Sequence, residues 1–153
     1  MDFKLNDSIG YIVNLVGREM AHTLRKAFLA ENLDITPEQW GVLAMLKEQD
    51  GRNQMEIACL HFRDKANITR LLDGLERRDL VRREQDPNDR RNNLIFLSEN
   101  GNVMFDRLLP IVKRTLEKVA EPLSPEELAL LKSLLHRLHD HLYEDLNVAA
   151  KKI

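Results

Sequence analysis

The chain has 153 residues, a formal net charge of -2, 43% hydrophobic and 31% charged residues, a composition that fits one globular domain with enough apolar side chains for a core. It has no apolar run long enough to span a bilayer and no basic-then-apolar pattern at its start, so a cytoplasmic location without a membrane partner is expected. The single cysteine, Cys59, excludes an intramolecular disulfide.

Helical periodicity dominates in chain order. Ile9, Ile12, Val13, Val16, Met20, Leu24, Ala27 and Phe28 recur at spacings of three and four, which predicts a long amphipathic helix. "NLDIT" breaks it. In "TPEQ", Thr36 is an N-cap, Pro37 takes the first helical position and Gln39 closes a capping box. Trp40, Val42, Leu43 and Leu46 continue this second helix until "EQDG" ends it. Asn53 and Glu56 open a short third helix reaching about Leu60, and Asp64 is placed to cap a fourth, which reaches about Arg78.

The period then changes. "LVRRE" and "NLIFL" read as two short strands around the loop "DPNDRRNN". Ser98 caps a fifth helix carrying Val103, Phe105, Leu108, Leu109, Val112, Leu116 and Val119, and Pro110 within it predicts a kink. "SPEE" at 124–127 opens a last helix with Leu128, Leu131, Leu135, Leu138 and Leu142. The predicted fold is mainly α with a small β-hairpin, in the order α-α-α-α-β-β-α-α.

Arg63 to Arg91 holds nine lysines and arginines against seven aspartates and glutamates, a mildly basic middle between acidic flanks. In the fourth helix Ile68, Leu71, Leu72 and Leu75 form the buried stripe. The opposite face carries Ala66, Arg70, Asp73 and Arg77, with Asn67 and Thr69 on the flanks and Lys65 in the first turn. A short helix, a turn and such a helix fit a helix-turn-helix, whose second helix enters the DNA major groove by its N-terminal residues. Asparagine and arginine there bridge adenine and guanine edges. Asp73, repelled by phosphates, is expected to pair with Arg70 and Arg77 along the helix. A hairpin wing after this helix explains the adjacent Arg90 and Arg91, since arginine inserts into a narrow, electronegative minor groove. Asp89 is expected to hold Arg91 extended by a charge-assisted hydrogen bond.

"TPEQWGVLAML", "NQMEIA", "NITRLLDGLE", the Leu80–Val81 pair, "DPNDRR" with its Asp-x-Arg at Asp89 and Arg91, and "LSENG" together resemble the MarR family of bacterial transcription regulators, over roughly residues 33–105 by motif. The resemblance implies a homodimeric winged helix-turn-helix protein that binds a pseudo-palindromic operator in double-stranded DNA and usually represses. Residues 33–98 would form the DNA-binding lobe, and residues 1–30 and 99–150 a helical dimerisation region within a single 1–153 domain. By position Lys65, Ala66, Asn67, Thr69 and Arg70 would lie in the major groove and Arg91, with Arg90 beside it, in the minor groove; Arg77 and Asp89 complete the DNA-binding candidates. Two departures stand out: Asp79 where the family often has glycine, and the amide pair Asn92–Asn93 in the wing. The resemblance also implies release by a small aromatic or phenolic effector. Met20, His22, Trp40 and Phe105 are candidates to line its pocket, with core packing the alternative for each.

The apolar faces of residues 9–28 and 128–142 independently favour a second copy of the chain. A two-fold dimer suits half-sites one helical turn apart, about 34–36 Å. No cofactor and no metal are expected: His136, His139 and His141 lie close together but lack a zinc-site signature. Phosphate-loop, dinucleotide, zinc-protease and nucleophile-elbow motifs are absent from the sequence, so no catalytic residue is named. The rival readings are a winged-helix protein-interaction module and a redox-sensing regulator using Cys59.

Overall fold

The computed structural model describes the backbone over residues 4–61 and 65–150, with side chains over 4–58 and 66–143. The chain divides into two compact units, Met1–Thr115 and Leu116–Ile153.

In the first unit a 3-10 turn, Leu5–Asp7, precedes α1 (Ile9–Ala30). The α1 stripe divides along its length. Leu24 and Phe28 are buried, whereas Ile9, Ile12, Val13 and Val16 are exposed, Ile9 at 63%. Asn32, at φ 56°, ends the helix. Its N–H donates to the Leu29 carbonyl and the N–H of Leu33 to that of Phe28, a Schellman closure. The following loop is fastened by Arg25, which donates to the Asp34 carboxylate at 2.6 Å and the Ile35 carbonyl at 2.7 Å.

The Thr36–Gln39 capping box opens α2 (Pro37–Glu48) as predicted. The Asn53–Glu56 box likewise opens α3 (Gln54–His61). α4 (Lys65–Arg77) buries Ile68, Leu72 and Leu75, with Leu71 half-buried. The expected cap Asp64 lies outside the described residues. Asp79 ends this segment at φ 55°. The N–H of Asp79 donates to the Glu76 carbonyl and that of Leu80 to the Leu75 carbonyl, again a Schellman closure. Aspartate thus occupies the left-handed position that its short polar side chain tolerates.

The sheet has three strands rather than the two expected. β1 (Arg52–Asn53), β2 (Val81–Gln85) and β3 (Asn93–Leu97) are ordered β1-β3-β2, all antiparallel. A two-residue strand has no periodicity to read, and β1 exists only because β3 offers it a free edge. Val81 faces Leu97, Arg83 faces Ile95 and Gln85 faces Asn93.

α5 (Glu99–Ala120) starts at Ser98, whose hydroxyl accepts the N–H of Gly101 at 2.8 Å, and continues unbroken through Pro110. Its Leu108, Ile111 and Val112 join Leu24, Phe28, Leu43, Ile57, Leu72 and Ile95 in one buried cluster. The second unit holds the end of α5 and α6 (Pro125–Ala150), opened by the reciprocal Ser124–Glu127 box. Leu131, Leu135, Leu138 and Leu142 on α6 are exposed.

Candidate nucleic-acid interface

α3 and α4 pack together, and Gln54 Nε2 donates to Thr69 Oγ1 at 2.6 Å, so the Thr69 hydroxyl turns towards α3. Ala66, Asn67, Arg70 and Arg77 are exposed on α4, while the Lys65 side chain lies outside the described residues. The structure corrects the expected partner of Asp73. Its carboxylate receives Arg83 Nη2 at 2.6 Å, and Arg83 Nη1 bonds Glu76 one turn on. Arg83 shares the Val81 side of β2, the inward side, and so reaches Asp73, whereas Arg70 and Arg77 make no ion pair among the described residues.

The wing tip is built from side-chain turns. The Asp86 carboxylate accepts the Asn88 N–H at 2.8 Å, an Asx turn, and the Asn92 N–H donates to the Asp89 carbonyl at 2.9 Å. Asp89 Oδ1 accepts both the backbone N–H and Nε of Arg91 at 3.1 Å, and Oδ2 accepts Arg91 Nη2 at 3.3 Å and Asn92 Nδ2 at 3.1 Å. The expected tether is therefore present, and the hydrogen bonds from Arg91 hold the Asp89 carboxyl below its ordinary pKa. The Asn92 amide, anomalous in the sequence, completes the same turn. Arg91 is 89% exposed at its side chain. Gln85 Nε2 donates to the Arg90 carbonyl at 2.9 Å, leaving the Arg90 side chain exposed and without an ion pair among the described residues. Gln54, Met55, Ala58, Arg91, Asn92 and Asn93 line a groove of about 170 Å³ between α3 and the tip.

The root of the wing is tied at three points. Ser98 Oγ donates to the Asp79 carbonyl at 2.5 Å, Asn100 Nδ2 to the Asp79 carboxylate at 2.7 Å, and the Ser98 N–H to the Leu80 carbonyl at 3.2 Å. Arg78 donates to the Asp34 carbonyl at 2.6 Å, linking the end of α4 to the loop after α1. Neither Arg83 nor Arg78 was singled out in the sequence. Only the parity of Arg83 with Val81 on a short strand would have signalled an inward-facing arginine.

Of the four effector candidates, Trp40 and Phe105 stack with ring centroids 5.0 Å apart and planes 15° apart, packed against the core. Lys47 Nζ lies 5.3 Å from the Phe105 centroid. Met20 is half-buried and His22 exposed. A separate cavity of about 320 Å³ is lined by Glu31, Leu33, Arg107, Pro110, Ile111 and Arg114, none of them a candidate. His139 stacks near Tyr143 and sits 3.3 Å from the Asp140 carboxylate. The Cys59 side chain lies outside the described residues, and no helix among those described is long and apolar enough to cross a membrane.

A short capped helix, a second helix with an exposed polar face, and an arginine-tipped hairpin on a three-stranded sheet define the winged helix-turn-helix class. Within that class, the MarR family profile matches residues 35–92. Transcriptional regulator HosA of Escherichia coli O111:H- is 30% identical over 105 residues, covering 69% of this chain and 78% of its own. The crystal structure of a probable transcriptional regulator from Pseudomonas aeruginosa superposes with a TM-score of 0.80 at 30% identity, over 88% of this chain and 99% of that one. The transcriptional repressor CouR, bound to a 23-mer DNA duplex, superposes with a TM-score of 0.80 at 27% identity, over 91% and 99% of the two chains. The chain belongs to the MarR family, whose members here are transcriptional regulators rather than enzymes.

Proposed function

We propose that this protein is a sequence-specific double-stranded DNA-binding repressor. It binds a pseudo-palindromic operator as a homodimer and is released by a small aromatic or phenolic effector. The observation that carries this reading is the pairing of two exposed elements on one lobe. Ala66, Asn67 and Arg70 stand at the exposed start of α4, and Arg91 is held out at the wing tip by Asp89. The first suits base edges in the major groove and the second a neighbouring minor groove. Arg77 and Arg90 supply phosphate contacts, and Thr69 supports α4 from the α3 side. CouR, a repressor similar in fold and sequence, is found on a DNA duplex.

The homodimer rests on apolar surface. Ile9, Ile12, Val13 and Val16 in one unit, and Leu131, Leu135, Leu138 and Leu142 in the other, remain exposed in the single chain. A second copy is the economical cover for both. This assigns residues 33–98 to DNA binding and residues 1–30 and 99–150 to dimerisation. The effector is assigned to the Trp40–Phe105 stack, with Met20 and His22 as further candidates to contact it.

The test is selection of duplexes from a random-sequence pool by the full chain, repeated with Arg91→Glu. The expected result is an inverted repeat with half-sites about ten base pairs apart. Arg91→Glu should lose it while remaining dimeric by sedimentation. A folded, dimeric wild type that enriches no duplex would favour a protein-interaction module instead.

A further inference from the structure

The wing carries two arginines in sequence at its base, and they do different things. Arg82 lies on the outer side of β2, 4.8 Å from the Phe96 ring centroid, and pairs with Glu84 on the same strand. Arg83 turns inward. Its side chain is only 18% exposed, and its two terminal nitrogens grip Asp73 and Glu76, three residues apart on one face of α4. A planar guanidinium bound through two prongs to two carboxylates fixes orientation as well as distance, which a single-point ammonium cannot do.

The position of this clamp matters. The Schellman closure at Asp79 and the Ser98 contacts fix the root of the wing, where α4 gives way to β2. Beyond the root, β1 holds the β3 edge at Leu94 and Ile95, but among the described residues no strand lies beside the β2 edge. Arg83 sits two residues along β2 from Val81 and ties the strand back to the last turns of α4, so the β2 edge is held as well. We propose that Arg83 is a positioning residue that sets the step between the recognition helix and the wing tip, and so the spacing of major-groove and minor-groove contacts the protein accepts. The inference rests on the DNA-binding reading above. Arg83 itself is mostly buried against α4, and it also neutralises two carboxylates on that helix.

A pure charge role and a positioning role are separable. Arg83→Gln leaves Asp73 and Glu76 unpaired, whereas Arg83→Gln with Asp73→Asn and Glu76→Gln removes the clamp and leaves no uncompensated charge. The probe is the duplex that the wild type selects. It is compared with a duplex carrying one extra base pair between the recognition-helix contacts and the wing contacts, both mapped by interference footprinting. The wild type should lose about tenfold or more in affinity on the insertion, the scale of one lost specific contact. The triple variant should lose less than about threefold on the insertion, because its wing can re-aim, while binding the parent duplex about tenfold more weakly than wild type.

An insertion penalty in the triple variant equal to that of the wild type would overturn the positioning role. So would full recovery of parent affinity, which would leave only charge compensation. Thermal melting checks that the variant is folded. If it is not, Asp73→Asn, which opens one prong, carries the same comparison with a smaller expected relaxation. A wild type that binds no duplex would remove the DNA-binding reading and this inference with it. A wild type that binds while the insertion penalties stay equal removes this inference alone.

Discussion

Gly101→Ala should destabilise the protein by about 2–4 kcal/mol, an estimate that follows from the close packing at the wing root. A Cβ at Gly101 would lie deep inside van der Waals contact with the Leu80 carbonyl oxygen, 3.0 Å from the carbonyl carbon and 3.2 Å from Leu97 Cδ2. The obstruction is backbone, so no side-chain rotation relieves it. That Leu80 carbonyl accepts the Ser98 N–H, the Ser98 hydroxyl donates to the Asp79 carbonyl, and the same hydroxyl accepts the Gly101 N–H. Moving α5 far enough to admit a methyl group loosens all three bonds. At a net value of about 1 kcal/mol per hydrogen bond, with some strain added, the loss falls in the stated range. For a chain of this size it lowers the thermal midpoint by roughly 4–16 °C. The assay is urea unfolding followed by circular dichroism, with Gly74→Ala as the control. A Cβ at Gly74 meets Gln39 Nε2 of α2 at 3.8 Å and Arg77 Nη2 at 3.9 Å, ordinary contacts with the ends of flexible side chains. That substitution should stabilise by about 0.5–1 kcal/mol through helix propensity. A Gly101→Ala cost below about 1 kcal/mol, or one matching Gly74→Ala in sign, would refute the argument that α5 and the wing root are locked in direct backbone contact.

Three further outcomes are expected. Arg25 holds Asp34 below its ordinary carboxyl pKa of 3.8, chiefly through their hydrogen bond. The stabilisation is therefore present above 3.8 and lost as pH falls through the lowered folded-state value. The melting gap between wild type and Asp34→Asn should be constant from neutral pH to about 5 and close at lower pH; a gap that widens on acidification would be inconsistent with this linkage. Asp79→Ala should cost more stability than Asp79→Gly, because alanine pays about 1–2 kcal/mol for the left-handed backbone and glycine does not, and equal melting temperatures would count against the strain. Asp89→Ala should reduce the ratio of operator to non-operator affinity, since it frees Arg91 while removing a repulsive carboxylate. Competition binding reads this ratio, and an unchanged value would mean that the tether does not pre-order the wing.

Much of the fold was legible because it is written in local chemistry. Thr36 with Gln39, Asn53 with Glu56, Ser98 with Gly101 and Ser124 with Glu127 are caps whose partners lie three residues away, and each forms as read. The Asp89–Arg91 tether was legible for the same reason. What the sequence hid is non-local. β1 is two residues long and is defined only by its partner in β3, over forty positions away along the chain. Asp73 has Arg70 and Arg77 at helical spacing, and local rules favour them. A strand that starts only after the Asp79 reversal brings Arg83 closer instead. The α1 stripe reads as one face, but its period does not say where along its length other elements stop covering it. Leu24 and Phe28 are buried, and Ile9, Ile12, Val13 and Val16 are not.

The same distinction changes how the basic middle should be understood. Counted from the sequence, its cations form one patch. In the structure Arg83 is spent on α4, Arg82 is paired with Glu84 beside Phe96, Arg78 is tied to the Asp34 carbonyl and Arg91 is balanced by Asp89. Among the described residues this leaves Arg70, Arg77 and Arg90 with neither an ion pair nor a side-chain hydrogen bond. Only cations that neutralise phosphates displace counterions, and each phosphate neutralised contributes about -0.9 to the slope of log K against log salt. Arg90→Ala should therefore flatten the slope by about 2 for a dimer, one contact in each wing. Arg82→Ala, although it removes the same formal charge from the neighbouring strand, should leave the slope nearly unchanged. Equal flattening by both variants would mean that Arg82 leaves Glu84 for the DNA, and that the pairing in the free protein does not decide which charges reach the phosphates.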